Sequence, residues 1–311
     1  MAEFFYWRYL LRLAGAGGLN AQTPDGEIEG VLLRDQAGGH ACLQPWPSLG
    51  QGSLEQNLAL LRDGGDSGLL AAAKRCLAMD GEARAAGIAL FDGKSVPPSH
   101  LSVPPWADIS WLDENFSSGF TLFKLKCGRD LLAEGSRIEQ LCRHFGDSLR
   151  LRLDFNGCLE PEGLRQFVGL LGHRLAQVDF IEDPLPYEER VWGELSDALS
   201  VDLAVDQAGA SAQGGFKFRV FKPAWEPAPD SSACVVTTSA MDHPLGQLFA
   251  AHEAAVSKGK SGAAGLLTHW LFEPNSFSEC LGVDGLGRLE PPGGLGLGFD
   301  GLLDALPWRS L

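Results

Sequence analysis

The chain has 311 residues, 45% of them hydrophobic, and 25 Lys+Arg against 40 Asp+Glu give it a formal charge of -15. That length builds one large barrel-type domain with a smaller companion, or two ordinary domains, and needs no disulfide staple. An acidic field of this size repels phosphate backbones and anionic lipid, which argues against nucleic-acid and membrane-surface partners.

The opening run, residues 1–15, is apolar but broken by Arg8 and Arg12, so it reads as a strand and not as a signal peptide. Strands are expected at 4–13 and 27–34 around the turn-like TPDGE, and helical spacing runs over 54–61 and 69–86. Residues 1–92 thus read as a small α+β unit. The Pro-rich SVPPSHLSVPPW then marks a change of architecture.

From there, short apolar runs recur at 120–126, 149–154, 178–182, 203–206, 216–222, 234–239 and 266–270, with one more strand at 99–103. Amphipathic helical segments lie between several of them, at 131–145, 161–175, 188–199 and 245–258. Strands alternating with helices make parallel βαβ units, and about eight in roughly 200 residues suit an α/β barrel over 93–275. The remainder, 276–311, is rich in Gly and Pro and is expected to pack back on the N-terminal unit.

Seven scattered cysteines show no CxxC or zinc-like spacing and read as reduced thiols. No apolar run is long enough to span a bilayer, and a cytoplasmic location is expected. The GLGFDG string at 296–301 follows PPGG rather than a strand, so it reads as a tight loop, not a dinucleotide site. His243 and His269 read as hydrogen-bonded structural histidines. Trp46, Trp106, Trp111 and Trp192 read as core or rim packing.

The polar residues fall at the same place in each barrel repeat. FKLKCG ends on Lys124 and Lys126, RLRLDFN on Asp154 and Asn156, VDFIED on Glu182 and Asp183, LAVD on Asp206, and FRVFK on Lys222. Residues at the C-terminal ends of barrel strands converge on one mouth. Three carboxylates that close repel one another, and a hard divalent ion removes the conflict: Mg²⁺, or Mn²⁺ in its place, on Asp154, Glu182 and Asp206. Such an ion clamps a small-molecule carboxylate substrate and holds the charge that develops when an α-proton leaves. Lys126 is then the candidate base, Lys124 on the same strand face eases its proton release, and Lys222 is the partner on the opposite face. Asn156 either bonds a metal ligand or shapes a turn. Arg152, two residues before Asp154, points into the barrel, to brace Lys124 or the carboxylates or to reach substrate.

The ordered series KLK, DFN, EDP, DQ and FKP resembles the enolase superfamily, in its muconate-lactonizing branch, and most closely the o-succinylbenzoate synthase family. The resemblance covers nearly the whole chain. It implies a (β/α)7β modified TIM barrel with an α+β N-terminal capping domain completed by the C-terminal segment. It also implies a Mg²⁺-dependent syn-dehydration of 2-succinyl-6-hydroxy-2,4-cyclohexadiene-1-carboxylate, through an enediolate, in menaquinone biosynthesis. The superfamily's pairing of a Lys or His base with Mg²⁺ is itself a general pattern. Under the resemblance, Thr238 and Ser239 in TTSAMDHPLG, together with Ser99, bind substrate. The chain departs from the family where Gln207 and Ala208 follow Asp206, and in the cap at Glu29-Gly30 and ACLQPWP. N-Acylamino acid racemisation would use the same two lysines. Dipeptide epimerisation is disfavoured because LLTHWLF lacks the Asp-x-Asp of those enzymes. A non-catalytic acid-binding barrel, and a monomer or small homo-oligomer, complete the expectations.

Overall fold

The computed structural model describes residues 3–15, 26–207, 209–229, 234–257 and 262–311. Most of the TPDGE turn, Ala208 and Lys258 lie outside the described residues.

Strands β1 (Phe4–Arg12), β2 (Glu27–Asp35) and β3 (His40–Leu43) form an antiparallel meander, followed by α1 (Leu54–Arg62) and α2 (Gly68–Ala85). β1 and β2 pair without a break from Phe4↔Asp35 to Arg12↔Glu27. Ser53 opens α1 in a reciprocal capping box with Gln56, and Ser67 caps α2.

The barrel follows: β4 (Leu101–Ser102), α3 (Ile109–Ser117), β5 (Leu122–Lys126), α4 (Leu131–Phe145), β6 (Arg150–Asp154), α5 (Pro161–Leu171), β7 (Val178–Glu182), α6 (Glu189–Leu199), β8 (Leu203–Val205), β9 (Phe218–Phe221), β10 (Cys234–Thr237) and α7 (Pro244–Val256). The seven strands are parallel neighbours in chain order. The eighth stave is only a pair of bridges, Ser99↔Ala264 and Thr238↔Gly265. His100 N donates to Ala264 O at 2.7 Å and Gly265 N to Thr237 O at 2.9 Å, which joins β10 to β4 and closes the ring. This stave lies just before the expected 266–270 run, whose end turns into a 3₁₀ helix at His269–Leu271. After β8 and β9, among the described residues, the connecting helix is reduced to short turns.

β11 (Gly282–Val283), β12 (Leu289–Glu290), α8 (Asp300–Asp304) and β13 (Arg309–Ser310) complete the chain, and β13 pairs with β1. The GLGFDG loop grips α2: buried Asp80 accepts from Leu297 N at 2.7 Å and from Arg84 Nε at 2.6 Å, and Arg84 Nη2 donates to Gly298 O at 2.9 Å. A Cβ on Gly296 would stand 2.0 Å from Asp80 Oδ1, which explains that glycine without a nucleotide. Asp80 also accepts from His40 N at 2.8 Å, so one carboxylate ties α2 to β3 and to the C-terminal segment. Asp80→Ala leaves two backbone donors unpaired and takes one of the acceptors of Arg84, which keeps Asp300, and is expected to cost about 2–5 kcal/mol of stability. An unchanged urea midpoint would contradict this. Burial acts against the Asp80 charge, but His40 and Arg84 outweigh it and hold the pKa below the ordinary carboxylate value. The stabilisation is therefore full above the unfolded carboxylate value and fades as pH falls through the lowered one.

Alternation along each strand sets the barrel interior. Phe180, Ala204, Val220 and Val236 form an inner apolar layer, while Phe123, Leu151, Leu153 and Leu203 are buried in the larger core cluster. Two residues beyond those inner positions, on the same face, come Glu182, Asp206, Lys222 and Thr238.

Candidate active site

The period-2 rule therefore delivers the polar residues to one mouth. Lys126, Asp154 and Glu182 stand level across β5, β6 and β7. Asp206 follows β8 and Lys222 follows β9. Counting staves from β4, the carboxylates sit on the third, fourth and fifth. Lys126 and Lys222 sit on the second and sixth, which face each other across an eight-stave ring.

Lys124 Nζ lies 2.8 Å from Asp154 Oδ2 and 2.6 Å from Glu182 Oε2. Lys126 Nζ lies 2.5 Å from the same Asp154 oxygen, with Asn156 Oδ1 at 3.4 Å. Lys222 pairs with Asp206 and stands 4.7 Å from the centre of the Trp225 ring. The lysine side chains differ in access: Lys126 is 28% exposed, Lys124 12% and Lys222 8%. Lys126 is thus the best placed of the three to meet a ligand.

Burial disfavours the charge on Lys124, but Asp154 and Glu182 outweigh it and hold its pKa above the ordinary lysine value. Burial likewise opposes the charge on Asp154, and Lys124 with Lys126 overcomes that to hold it below the carboxylate range. Glu182 goes the other way: burial and then the Asp154 charge push it up, despite Lys124. The cluster is short of positive charge at Glu182.

No three acidic, His or Cys side chains stand close enough among the described residues to form a ready cation cage. The physical reason is the lysines, which take up the carboxylate oxygens as counter-charges. The donor set nevertheless fits a hard divalent ion, because it offers carboxylate oxygens from three adjacent strands, two of them from residues only 1% exposed. Binding an ion there requires Lys124, Lys126 and Lys222 to yield carboxylate oxygens.

Asp183 accepts from Asp206 N at 3.1 Å and Gln207 N at 3.0 Å, so the residue after Glu182 fixes the backbone at Asp206. Asn156, at φ 51, turns the chain after β6 and donates its N–H to Asp154 Oδ1 at 3.1 Å. Thr238 and Ser239 line the cavity, and Ser239 Oγ bonds Thr268 Oγ1 at 2.9 Å. Ser99 is not among the lining residues. Its Oγ bonds His100 O at 3.0 Å and accepts from Leu266 N at 2.9 Å, bracing the closing stave. Arg152 points inward but touches none of Asp154, Glu182 and Asp206: it bonds Asp179, His100 and Ala263 O. His243 caps α7 and His269 bonds Gln247, and neither lines the cavity.

A cavity of about 750 Å³ opens between the strand ends and the cap, with Lys124, Lys126, Asp206 and Lys222 in its lining. Trp46 and Gln51 reach it from the cap, Arg129 and Glu226 from the barrel loops, and Arg137 from α4. Trp46 Nε1 donates to Ala240 O at 3.2 Å and Gln44 Nε2 to Met241 O at 3.0 Å, which pins the cap to the loop before α7. Strand-end reading missed these loop and cap residues because no periodicity marks them. It also missed His100, which the same alternation should have found.

Comparison with known proteins matches residues 4–83 to the o-succinylbenzoate synthase N-terminal domain and 110–217 to the enolase C-terminal domain-like family. An o-succinylbenzoate synthase from Bdellovibrio bacteriovorus is 32% identical over 333 residues, covering 100% of this chain and 99% of the relative. Muconate lactonizing enzyme from Pseudomonas fluorescens, complexed with muconolactone, superposes with a TM-score of 0.76 at 16% identity, over 96% of this chain and 95% of that one. A dipeptide epimerase from Cytophaga hutchinsonii, complexed with Mg and D-Ala-L-Val, superposes at 0.74 with 16% identity, over 99% and 98%. At such identities the two structures bear on the fold alone.

Proposed function

The chain belongs to the enolase superfamily, in its o-succinylbenzoate synthase-like family of lyases, and from that premise we propose that it catalyses the Mg²⁺-dependent syn-dehydration of 2-succinyl-6-hydroxy-2,4-cyclohexadiene-1-carboxylate to o-succinylbenzoate. The observation that carries this is the placing of Lys126 and Lys222 on facing staves, with three carboxylates on the staves between. Asp154, Glu182 and Asp206 would hold the Mg²⁺ ion. Bound there, it would neutralise the ring carboxylate and the charge that builds on it as the adjacent proton leaves.

The protein's own part is proton handling and positioning. Lys126 Nζ, on one face of the ring, takes the proton from C1. The C6 hydroxyl leaves on the same face, so the same Nζ, now carrying that proton, hands it to the departing oxygen as water forms and the ring becomes aromatic. Lys222 stays an ammonium on the opposite face, where its charge favours the anionic transition state. Lys124 offsets the buried carboxylates, and Asn156 steadies Asp154. The cap residues Trp46 and Gln51 close the cavity over the ring and limit water.

Purified protein with Mg²⁺ and the cyclohexadiene acid is expected to yield the aromatic acid, followed by its ultraviolet absorbance. Absence of conversion above the spontaneous rate would overturn the dehydration. Racemisation of N-acylamino acids in that same sample would support the racemase reading of the site instead.

A further inference from the structure

Lys222 follows β9 on the cavity wall, and its side chain is only 8% exposed. Among the described residues, its Nζ has one hydrogen-bonding and ion-pairing partner, Asp206. An ion held by Asp206 draws on that same carboxylate and brings a second positive charge beside the ammonium. A buried ammonium that loses its counter-charge is costly, and little water reaches this one to replace it. Lys222 therefore needs another seat if it is to stay in the site with the ion bound.

The Trp225 ring offers that seat. Its centre lies 4.7 Å from Lys222 Nζ, inside the roughly 6 Å over which an aromatic face attracts a cation. The Trp225 Nε1–H is buried and has no partner among the described residues, so no hydrogen bond accounts for the setting of the ring. The backbone sets it. Trp225 N donates to Lys222 O at 2.9 Å and Glu226 N to the same oxygen at 3.2 Å, a turn that folds the ring back toward the lysine. From the cap, Arg75 on α2 donates to Pro223 O at 2.9 Å and to Glu226 O at 3.0 Å. A Cβ on Gly68, at the start of α2, would stand 3.0 Å from Trp225 O, so the helix packs directly on this turn. Glu226 also lines the cavity, but among the described residues no ion pair joins it to Lys222.

We infer that Trp225 is a positioning residue: its ring face holds the Lys222 ammonium at the cavity wall once Asp206 turns to the ion. It acts through Lys222 and not on the reacting atoms. The cap shares in this, because Arg75 clamps the turn that carries the ring. The inference rests on the proposed ion site and on the opposite-face role of Lys222, and adds what keeps that charge in place.

Mn²⁺ titrated into the ion-free protein by calorimetry tests it without reference to turnover. Trp225→Leu should weaken Mn²⁺ binding by about threefold to thirtyfold, the reach of a partly desolvated cation–aromatic contact. Trp225→Phe keeps an aromatic face and should lose less. In a Lys222→Met background, Trp225→Leu should change Mn²⁺ affinity by less than about twofold, because the ammonium it serves is gone. Wild-type affinity in Trp225→Leu, or an equal loss with and without Lys222, would overturn the inference. So would a loss in Glu226→Gln matched by none in Trp225→Leu, which moves the seat to Glu226. If Trp225→Leu does not fold, Trp225→Met fills the space without an aromatic face and takes its place. At saturating Mg²⁺, Trp225→Leu should lower kcat on the cyclohexadiene acid by a similar factor and leave KM within about twofold. Coupling of Trp225 to Lys222 without dehydration refutes the reaction and leaves the seat standing. Dehydration without that coupling refutes the seat alone.

Discussion

Lys126→Ala is expected to lower kcat on the cyclohexadiene acid by about 10²–10⁴-fold, the usual contribution of a positioned general base. KM should change little, because the ring carboxylate and the side chain are held elsewhere. The choice among the three lysines rests on access and on partners. Lys124 is shared between Asp154 and Glu182, and Lys222 is enclosed by Asp206 and the Trp225 ring. Lys126 pairs with a single carboxylate, Asp154, beside the neutral Asn156 Oδ1, and has the most exposed side chain of the three. The fold should survive the change, since Lys124 and the Asn156 N–H remain on Asp154. Lys126→Arg should be about as damaging as the alanine, because a guanidinium keeps its charge and cannot accept the proton. Steady-state kinetics of the two variants checks this, and wild-type kcat in either one would remove Lys126 from the chemistry.

Glu182→Gln is expected to weaken divalent-ion binding by more than the roughly 10–100-fold that loss of a supporting hydrogen bond typically costs, because a ligand itself is neutralised. Mn²⁺ titrated by calorimetry gives the affinity without reference to turnover. The substitution is nearly isosteric and leaves Lys124 paired with Asp154, so folding should be little affected. Unchanged Mn²⁺ affinity would show that Glu182 is not a ligand. The pH dependence has a defined sign. The Glu182 pKa is raised in the ion-free protein by burial and by Asp154, so protonation competes with the ion and affinity should fall as pH is lowered.

Much of this site was legible in the sequence because a barrel strand converts chain position into spatial position. Once β5 to β9 are placed, alternation carries Lys126, Asp154, Glu182, Asp206 and Lys222 to the mouth with no further assumption. The same rule explains the mistaken neighbour at β4. Ser99, expected to bind substrate, stands one residue from the inward position, and a step of one residue exchanges the two faces of a strand. Ser99 braces the closing stave, and His100 takes the inward place. β4 has two residues and the eighth stave only isolated bridges, too short for a pattern to fix register. Arg152 was read correctly as inward, but its partners, Asp179, His100 and Ala263 O, come from other strands and from a loop that no local pattern connects to it. β3, with four residues, and α3, with one buried side chain, carry too little periodicity to be read. The cap residues over the cavity depend on how the N-terminal segment docks on the barrel, through Trp46 and Gln44 on the backbone before α7. That docking is a tertiary fact, without a local signature.

The proposed dehydration needs both a lysine base and an ion held by three carboxylates. Its most direct test is turnover of the cyclohexadiene acid by the wild-type chain before chelation, after chelation of divalent ions, and after Mg²⁺ is returned. Chelation is expected to abolish conversion to the aromatic acid, and Mg²⁺ to restore it. Conversion that continues undiminished in the chelator would contradict this.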